Sequence, residues 1–301
     1  MAFEGFLPSK NNREKTDGKL EYAVTLSIII VNWNTAALLR DCLQSIREHP
    51  FPGPFEVIIV DNASSDGSAA LAQSEFSEFK TLMESVNHGY ARGNNIGIAA
   101  STGEYVLTLN PDTRVTPNLL GNAVETLRGK GESYGCLSVR FEGINGETQH
   151  SVRGFPTIKG ILGDLLRLSN WDTYRLRSFD YSLSQDAPQP MGTFLLFRRS
   201  ALPDPMNPFD EQFPIFFNEV DLLKRLNGKC WYEATLTIHH LGGASTRQTR
   251  KPMIWESHRS LIRYLFKHNQ GLARIPLYPI SLIIWLGALV RARGYSAGFR
   301  S

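Results

Sequence analysis

The sequence predicts an α/β fold, a Rossmann-like, doubly wound and mostly parallel mixed sheet, followed by a C-terminal helical extension. The runs 26–31 (LSIIIV) and 55–60 (FEVIIV) are continuously apolar and β-branched, which is typical of strands covered on both faces. Between them, apolar residues recur at helical spacing after Thr35, a residue able to cap a helix. This strand–helix–strand alternation favours parallel pairing.

Length, charge and cysteine usage bound the class of protein. With 301 residues and a formal net charge of +3, the chain can form one large domain with an appendage, and it is not basic enough to indicate a nucleic-acid partner. Its three cysteines form no CxxC pair, which argues against a disulfide framework or a zinc site and favours a reducing, cytoplasmic compartment. Residues 1–20 contain no continuous apolar core and are predicted to be a mobile tail rather than a signal peptide.

Polar residues follow the first two predicted strands, at the edge where open α/β sheets bind ligands. The first loop, NWNTA, contains Asn32 and Asn34 and lacks the G-x-G-x-x-G of dinucleotide sites, so a nicotinamide enzyme is disfavoured. The second strand leads into Asp61 and Asp66, which can accept hydrogen bonds from the ribose or base of a nucleotide. For Asp66 the alternative is a helix cap in a solvated loop.

A glycine- and asparagine-rich stretch, 87–97, follows a short predicted strand at 81–84. It contains Arg92 and Asn94 and opens a predicted helix whose free N–H groups, with Arg92, suit an anion. The alternative is that the glycines allow this segment to pack closely on the sheet, which leaves Arg92 exposed.

The run Tyr105–Leu109 is a predicted strand that ends at Asn110, and Asp112 follows at the ligand-binding edge. A carboxylate there can hold a divalent metal against a diphosphate. The structural alternative is an Asx turn, in which the Asp112 carboxylate accepts a hydrogen bond from a nearby backbone N–H.

Four motifs in order, SIIIVNWN, VDNASSDGS, NHGYARGNNIG and LNPDT, resemble the nucleotide-sugar-binding half of a family 2 glycosyltransferase of the GT-A fold, nearest its rhamnosyltransferase-like members. The resemblance covers residues from about 25 to about 247. It implies that Asn32 and Asp61 hold the nucleoside and that Asp112 holds Mg²⁺ or Mn²⁺ on the diphosphate. Asn110 stands where a strict DxD motif has its first acid.

The second half resembles the acceptor side of the same family. Gly192 matches the glycine turn below the reacting sugar, and residues 209–222 resemble the FDE…EDxDL block, in which the aligned base is Glu219. Asn218 replaces the usual Glu, and Glu219 the usual Asp, so Asp221 remains an alternative base. The structural alternative is that Asn218 caps a helix and Asp221 pairs with Arg225.

A predicted strand at 231–238 delivers two histidines to the same edge. The HxGG-type segment of the family matches His240, which there completes the metal or diphosphate site, and imidazole beside an oxygen ligand suits Mn²⁺ as well as Mg²⁺. His239 is the register alternative.

The predicted organisation is a tail (1–20), a GT-A domain (21–246, divided at 134/135 into donor and acceptor halves) and an extension (247–301) of basic and apolar residues. Its apolar run 275–290 is short for a bilayer span and suits the headgroup region, beside a polyprenyl-linked acceptor. The alternative is a helix that covers the domain or contacts a second copy.

The predicted activity is inverting, metal-dependent transfer of a sugar, with rhamnose as a candidate, from a dTDP-, UDP- or GDP-sugar to a hydroxyl of a glycan or lipid-linked saccharide in cell-surface polysaccharide synthesis. The predicted location is cytoplasmic, peripheral on the inner face of the plasma membrane. Two alternatives stay open: a sugar nucleotidyltransferase, which NWNTA disfavours, and a catalytically weak carbohydrate-binding relative.

Overall fold

The computed structural model describes residues 13–16, 19–22, 24–165, 172–241 and 250–296. Its first elements are β1 (Arg13–Thr16) and β2 (Lys19–Tyr22), which pair as an antiparallel hairpin. This hairpin overlaps the segment predicted to be a mobile tail. Residues 1–12 of that segment lie outside the described residues, and its mobility stays a prediction.

The donor half has the predicted alternation of strands and helices. Its elements are β3 (Leu26–Asn32), α1 (Ala36–Glu48), β4 (Phe55–Asp61), α2 (Ser68–Glu75), β5 (Lys80–Met83), α3 (Tyr90–Ala99) and β6 (Tyr105–Leu109). The four strands lie in the order β5-β4-β3-β6 and all pair in parallel. β3, β4 and β6 are buried almost throughout, which explains their lack of apolar–polar alternation.

The acceptor half continues the same sheet and makes it mixed. β7 (Thr113–Arg114) and α4 (Leu119–Gly129) complete the first half of the chain. The elements from there on are β8 (Tyr134–Glu142), β9 (Val152–Arg153), α5 (Ile158–Leu165), β10 (Gln185–Asp186), β11 (Gln189–Pro190), β12 (Phe194–Arg198), α6 (Asn218–Arg225) and β13 (Lys229–His240). β12 lies antiparallel between β6 and β8, and β13 extends the sheet in parallel with β8. The two halves therefore share one sheet and one core.

Glycines allow α3 to pack directly on the sheet. A Cβ at Gly93 would lie 2.7 Å from Val31 Cγ1, and a Cβ at Gly97 would collide with Ile29. Close packing of a helix on a strand requires such small residues. Gly93 and Gly97 thus serve packing, the alternative considered for this stretch.

The extension is a helical hairpin of α7 (Arg250–His268) and α8 (Leu277–Ser296). Ring contacts between Trp255 and Trp285 and between Phe266 and Tyr278 show that the two helices run antiparallel. The hairpin packs on α6 through an apolar cluster that includes Val220, Tyr264, Leu265 and Leu277.

Candidate active site

A cavity of about 510 Å³ opens at the carboxyl ends of the parallel strands. β3 contributes Val31 and Trp33, β4 is followed there by Asn62, and β6 by Asn110 and Asp112. The volume is in the range of small-molecule sites. Its wall is completed by Asn87, Gly89, Tyr90, Pro111, Met191, Gly192, Thr193, Ile215, Phe216, Asn218, Glu219, His240, Pro252 and Met253.

Asp112 and His240 meet in this cavity because β7 pairs with β13. His240 is the register partner of Thr113, and the Leu241 N–H donates to the Asp112 carbonyl at 2.9 Å. The pairing brings His240 Nε2 to 3.6 Å from Asp112 Oδ1, and both residues are buried. His239 is half exposed and does not line the cavity, so of the two histidines it is His240 that faces Asp112.

Gln149 fixes the tautomer of His240. The Gln149 Nε2 donates to the His240 carbonyl at 2.9 Å, so its Oε1 is the atom 2.7 Å from His240 Nδ1. A carboxamide oxygen accepts only, so Nδ1 carries the proton and Nε2 presents a lone pair towards Asp112. Burial lowers the pKa of His240, although Asp112 opposes this shift, and the imidazole stays neutral near pH 7.

Three asparagines of the cavity wall have unsatisfied oxygens. The side-chain oxygens of Asn62, Asn110 and Asn218 are buried and, within the described part of the chain, accept no hydrogen bond. An unpaired buried acceptor costs about 1–3 kcal/mol, so such groups usually meet a ligand, an ion or water. Together with the lone pair of His240 and the carboxylate of Asp112, they suit a cation or a polar ligand.

Glu219 lies on the same wall, in the first turn of α6. The helix begins after Phe217, whose left-handed φ of 66° is uncommon for an aromatic residue and turns the chain into the helix. Phe217 is thus the N-cap, and the predicted capping by Asn218 is wrong, since the Asn218 amide donates instead to the Ile215 carbonyl at 2.6 Å. Burial raises the pKa of Glu219, with its own backbone N–H and then the Arg153 guanidinium opposing the shift.

Gly192 faces Glu219 across the cavity. A Cβ built at Gly192 would lie 3.5 Å from Cβ and Cγ of Glu219, which is an ordinary contact. The protein itself therefore does not require a glycine here, and a side chain would instead take up cavity space beside Glu219. The position of Gly192 below a bound sugar stays a prediction.

Asp221 does not reach the cavity, which corrects its assignment as an alternative base. Its side chain is fully buried and contacts two cations and an imidazole: Arg225 Nη2 at 2.7 Å, Lys267 Nζ at 2.7 Å and His268 Nε2 at 2.8 Å. The predicted pair with Arg225 is confirmed. Asp221 therefore joins α6 to the end of α7.

Replacement of Asp221 by asparagine is expected to lower the free energy of unfolding by about 2–4 kcal/mol, because partly buried cations lose their counter-ion. Denaturant unfolding measures the change. Asp41→Asn, which affects an exposed pair with Arg114, is the matched control and should cost about 0–1 kcal/mol. Equal stability of both variants would contradict this structural role.

Three residues predicted to bind nucleotide, Asn32, Asn34 and Asp61, form hydrogen bonds within and between the loops instead. Asn32 is fully buried, its amide donates to Asp61 Oδ1 at 2.9 Å, and its oxygen accepts from Thr35 Oγ1 at 2.6 Å. Asn34, with φ 52°, accepts from the Ser65 N–H at 2.7 Å. These bonds hold the β3 and β4 loops together, and Asn32, Asn34 and Asp61 do not line the cavity.

Asp66 caps α1, the role considered as the alternative for it. Its Oδ2 accepts from the Ala36 N–H at 2.8 Å. Thr35 occupies the N-cap position, as predicted, but its side chain makes no cap bond. Asp66 lies outside the cavity wall, and the structure gives it no place at a ligand.

Arg92 and Asn94 also lie outside the cavity. Arg92 is half exposed, 3.8 Å from Glu211, and Asn94 is buried and donates to the Tyr90 carbonyl at 2.9 Å. The predicted anion site at Arg92 is therefore not part of this cavity. Tyr90, at the start of α3, lines it instead, and its hydroxyl donates to the Gly192 carbonyl at 3.2 Å.

Comparisons with known proteins agree with the fold. The chain is 27% identical over 244 residues to the N-acetylglucosaminyl-diphospho-decaprenol L-rhamnosyltransferase of Mycobacterium tuberculosis, an alignment that covers 74% of this chain and 78% of the relative. The mannosyltransferase PcManGT of Pyrobaculum calidifontis, solved with GDP-Man and Mn²⁺, superposes with a TM-score of 0.55 at 17% identity, covering 93% of this chain and 80% of that one. TarS 1-349 of S. aureus, solved with UDP-GlcNAc, gives 0.53 at 16% identity, covering 88% and 81%.

The sequence profile described as Glycosyl transferase family 2 matches residues 27–204, more than half of the chain. The matched segment runs from β3 past β12 and includes Asp112, Gly192 and most of the cavity-forming loops. The mixed sheet with its C-terminal helices is that of GT-A glycosyltransferases. The chain therefore belongs to glycosyl transferase family 2 and is a glycosyltransferase of the GT-A fold.

Proposed function

We propose that this enzyme transfers a sugar, with inversion, from a nucleoside-diphosphate sugar to an acceptor hydroxyl, using a divalent cation. The observation that carries the proposal is that one cavity contains both a pair suited to a metal, Asp112 with His240, and a carboxylate with a raised pKa, Glu219. These are the two functions that such a transfer needs from the protein.

Asp112 and His240 are the residues that would hold the cation. The described residues contain no cluster of three or more His, Cys, Asp or Glu side chains, so two protein ligands leave room for the oxygens of a diphosphate. The unpaired oxygen of Asn110 fits the same role. Mg²⁺ or Mn²⁺ would supply charge neutralisation for the departing diphosphate.

Glu219 would take the proton of the acceptor hydroxyl. Its raised pKa makes it a stronger base than an exposed carboxylate. Gly192 leaves space beside it for the two sugars. Attack from the Glu219 side, away from the nucleotide, gives inversion at the anomeric carbon.

The nucleoside would lie at the β3–β4 end of the cavity. The half-buried ring of Trp33 offers a stacking surface, and Asn62 offers an unpaired carboxamide oxygen. PcManGT, with GDP-Man, and TarS, with UDP-GlcNAc, support a nucleotide sugar as donor. The name of the mycobacterial relative supports L-rhamnose as the first candidate sugar and a polyprenyl-linked saccharide as acceptor.

Thermal-shift screening of dTDP-, UDP- and GDP-sugars with Mn²⁺ tests the donor assignment, because a ligand that binds only the native state raises its melting temperature. The preferred donor should then give a product of opposite anomeric configuration by NMR. If a donor raises the melting temperature but the protein neither transfers its sugar nor hydrolyses it slowly, the protein is a nucleotide-sugar-binding relative without catalytic activity. Retention of configuration would refute the inverting mechanism.

Leucine in place of Gln149 is expected to weaken Mn²⁺ binding by about 10-fold, the usual effect of losing the hydrogen bond that orients a ligating histidine. Paramagnetic resonance of Mn²⁺ with nucleotide measures the affinity. Metal-free ¹⁵N NMR should show loss of the pure Nδ1–H tautomer of His240. Gln149→Glu keeps an acceptor for Nδ1 and serves as control; an unchanged tautomer in the leucine variant would contradict the assignment.

The outer surface of α8 is apolar and supports a peripheral membrane contact on the cytoplasmic face. Gly271–Arg293 spans 23 residues, and its most apolar 18-residue window has a mean hydropathy of 1.7 and is only 17% buried. Within this segment α8 begins at Leu277, directly after Pro276, and Pro279 lies in its first turn, so neither proline interrupts the helix. The segment is longer than the sixteen apolar residues expected. Exposed arginines lie near its two ends: Arg274, Arg291 and Arg293.

Vesicle binding tests this surface. We expect Leu282→Gln/Leu286→Gln/Val290→Gln to lower partitioning onto phosphatidylglycerol-containing vesicles by roughly tenfold or more, because three exposed apolar side chains are lost. Ile144→Gln/Leu183→Gln/Met206→Gln removes exposed apolar groups elsewhere and should have no effect. Equal sedimentation of all forms would exclude α8 as the contact, and resistance to an alkaline wash would favour a membrane span.

A further inference from the structure

A second cavity, of about 540 Å³, lies on the acceptor half and is rich in arginine. Its lining residues are His150, Val152, Arg153, Tyr174, Arg175 and Arg177. Among the described residues no acidic side chain lines it, and the nearby Asp172 pairs with Arg177 at 3.4 Å. Three arginines, Arg153, Arg175 and Arg177, therefore line one cavity.

The cavity is joined to the active site through paired backbone. β9, which carries Arg153, pairs with β11, and the Met191 N–H donates to the Ser151 carbonyl at 2.8 Å. Gly192 follows directly, opposite Glu219. The positive charge of Arg153 also acts on the Glu219 carboxyl, where it opposes the effect of burial on the pKa. The arginine-rich cavity therefore adjoins the acceptor side of the reaction centre.

Local bonds hold the arginine-bearing segment against β9. The Gly154 N–H donates to the Tyr174 carbonyl at 2.8 Å, and the Arg153 guanidinium lies 5.9 Å from the centre of the Tyr174 ring. The Arg177 N–H donates to Asp172 Oδ2 at 2.7 Å, which closes the turn that carries Arg175. Guanidinium groups fixed in this way suit phosphate oxygens, which they bind in bidentate pairs.

We propose that this cavity binds the phosphate or diphosphate group of the acceptor, so that the acceptor is a glycosyl phosphate or diphosphate rather than a neutral glycan. The inference rests on the proposed function. The donor diphosphate belongs with Asp112 and His240, so a second anion site next to Glu219 serves the other substrate. An acceptor sugar whose hydroxyl faces Glu219 then places its anionic group beside Arg153.

Calorimetric titration with inorganic pyrophosphate, without metal or donor, tests the site. Wild type and Asp112→Ala should bind equally, whereas Arg153→Gln/Arg175→Gln should bind at least about tenfold more weakly, as expected for two lost charge-assisted contacts. The control Arg40→Gln/Arg128→Gln removes two exposed arginines on other helices and should bind like wild type. Absence of metal-free binding to the wild type, or equal binding by the double variant, would overturn the proposal.

Vesicles separate the two sources of such phosphate. If Arg153→Gln/Arg175→Gln weakens pyrophosphate binding but leaves attachment to phosphatidylglycerol vesicles unchanged, the site belongs to the soluble head of the acceptor. If it weakens attachment alone, the cavity binds phospholipid headgroups and the proposal is wrong. Because no donor is present, failure here is distinguishable from failure of sugar transfer, which the donor screen measures separately.

Discussion

Alanine in place of Asp112 is expected to abolish the Mn²⁺ dependence of donor binding and to lower kcat by about 10³-fold or more, because several kcal/mol of charge stabilisation on the leaving diphosphate is lost. Asp112 is the carboxylate next to His240, and its replacement removes the charged ligand from the candidate cation site. Calorimetry of the best donor, with and without Mn²⁺, measures the effect.

Asp186→Ala is the matched control for this experiment. Asp186 is an exposed carboxylate on β10 that pairs with Lys229, outside both cavities, and its loss should leave donor affinity unchanged. If donor binding depends on Mn²⁺ as strongly in Asp112→Ala as in wild type, Asp112 does not hold the metal. The proposed metal-dependent mechanism would then be wrong.

Glutamine in place of Glu219 is expected to lower kcat by about 10²-fold or more and to leave donor affinity near normal, as for loss of a general base. The amide keeps the size of the side chain, so the loss comes from its inability to accept the proton. Because the pKa of Glu219 is raised, wild-type turnover should fall, as pH is lowered, at a higher pH than for an exposed glutamate, and the variant should lack this limb.

Asp221→Asn separates the catalytic from the structural carboxylate. At temperatures where it remains folded, this variant should turn over near the wild-type rate, since Asp221 contacts Arg225, Lys267 and His268 rather than the cavity. Near-normal turnover in Glu219→Gln together with a large loss in Asp221→Asn would reassign the base.

Strands β3, β4 and β6 were predictable because each is a continuous run of buried apolar residues. β6 matches the predicted bounds, and β3 and β4 differ from them by one residue. The antiparallel insertion of β12 between β6 and β8 was not predictable, because a buried apolar strand has the same composition in either direction. The hairpin β1–β2 was missed for a different reason: REKT and KLEY are polar and lack the apolar alternation that indicates a strand.

The site was predictable where the side chain follows a strand directly into the cavity, as Asp112 does. It was not predictable where hydrogen bonds within the protein compete with a ligand. Asn32 and Asp61 stand at strand ends, but they bond to each other, and only the folded loops show that. Gln149 lies in an irregular segment without a motif, and its contact with His240 depends on the arrival of β13. Trp33 lies inside the NWNTA motif, but nothing in that motif indicated that its ring lines the cavity.

The pairing of β7 with β13 also sets an order of events during synthesis. Asp112 leaves the ribosome with the first half of the sheet, whereas His240 emerges only at the end of its last long strand. A cation held between them would therefore bind only after β13 has joined β8, and it would stabilise the finished enzyme rather than any shorter nascent form.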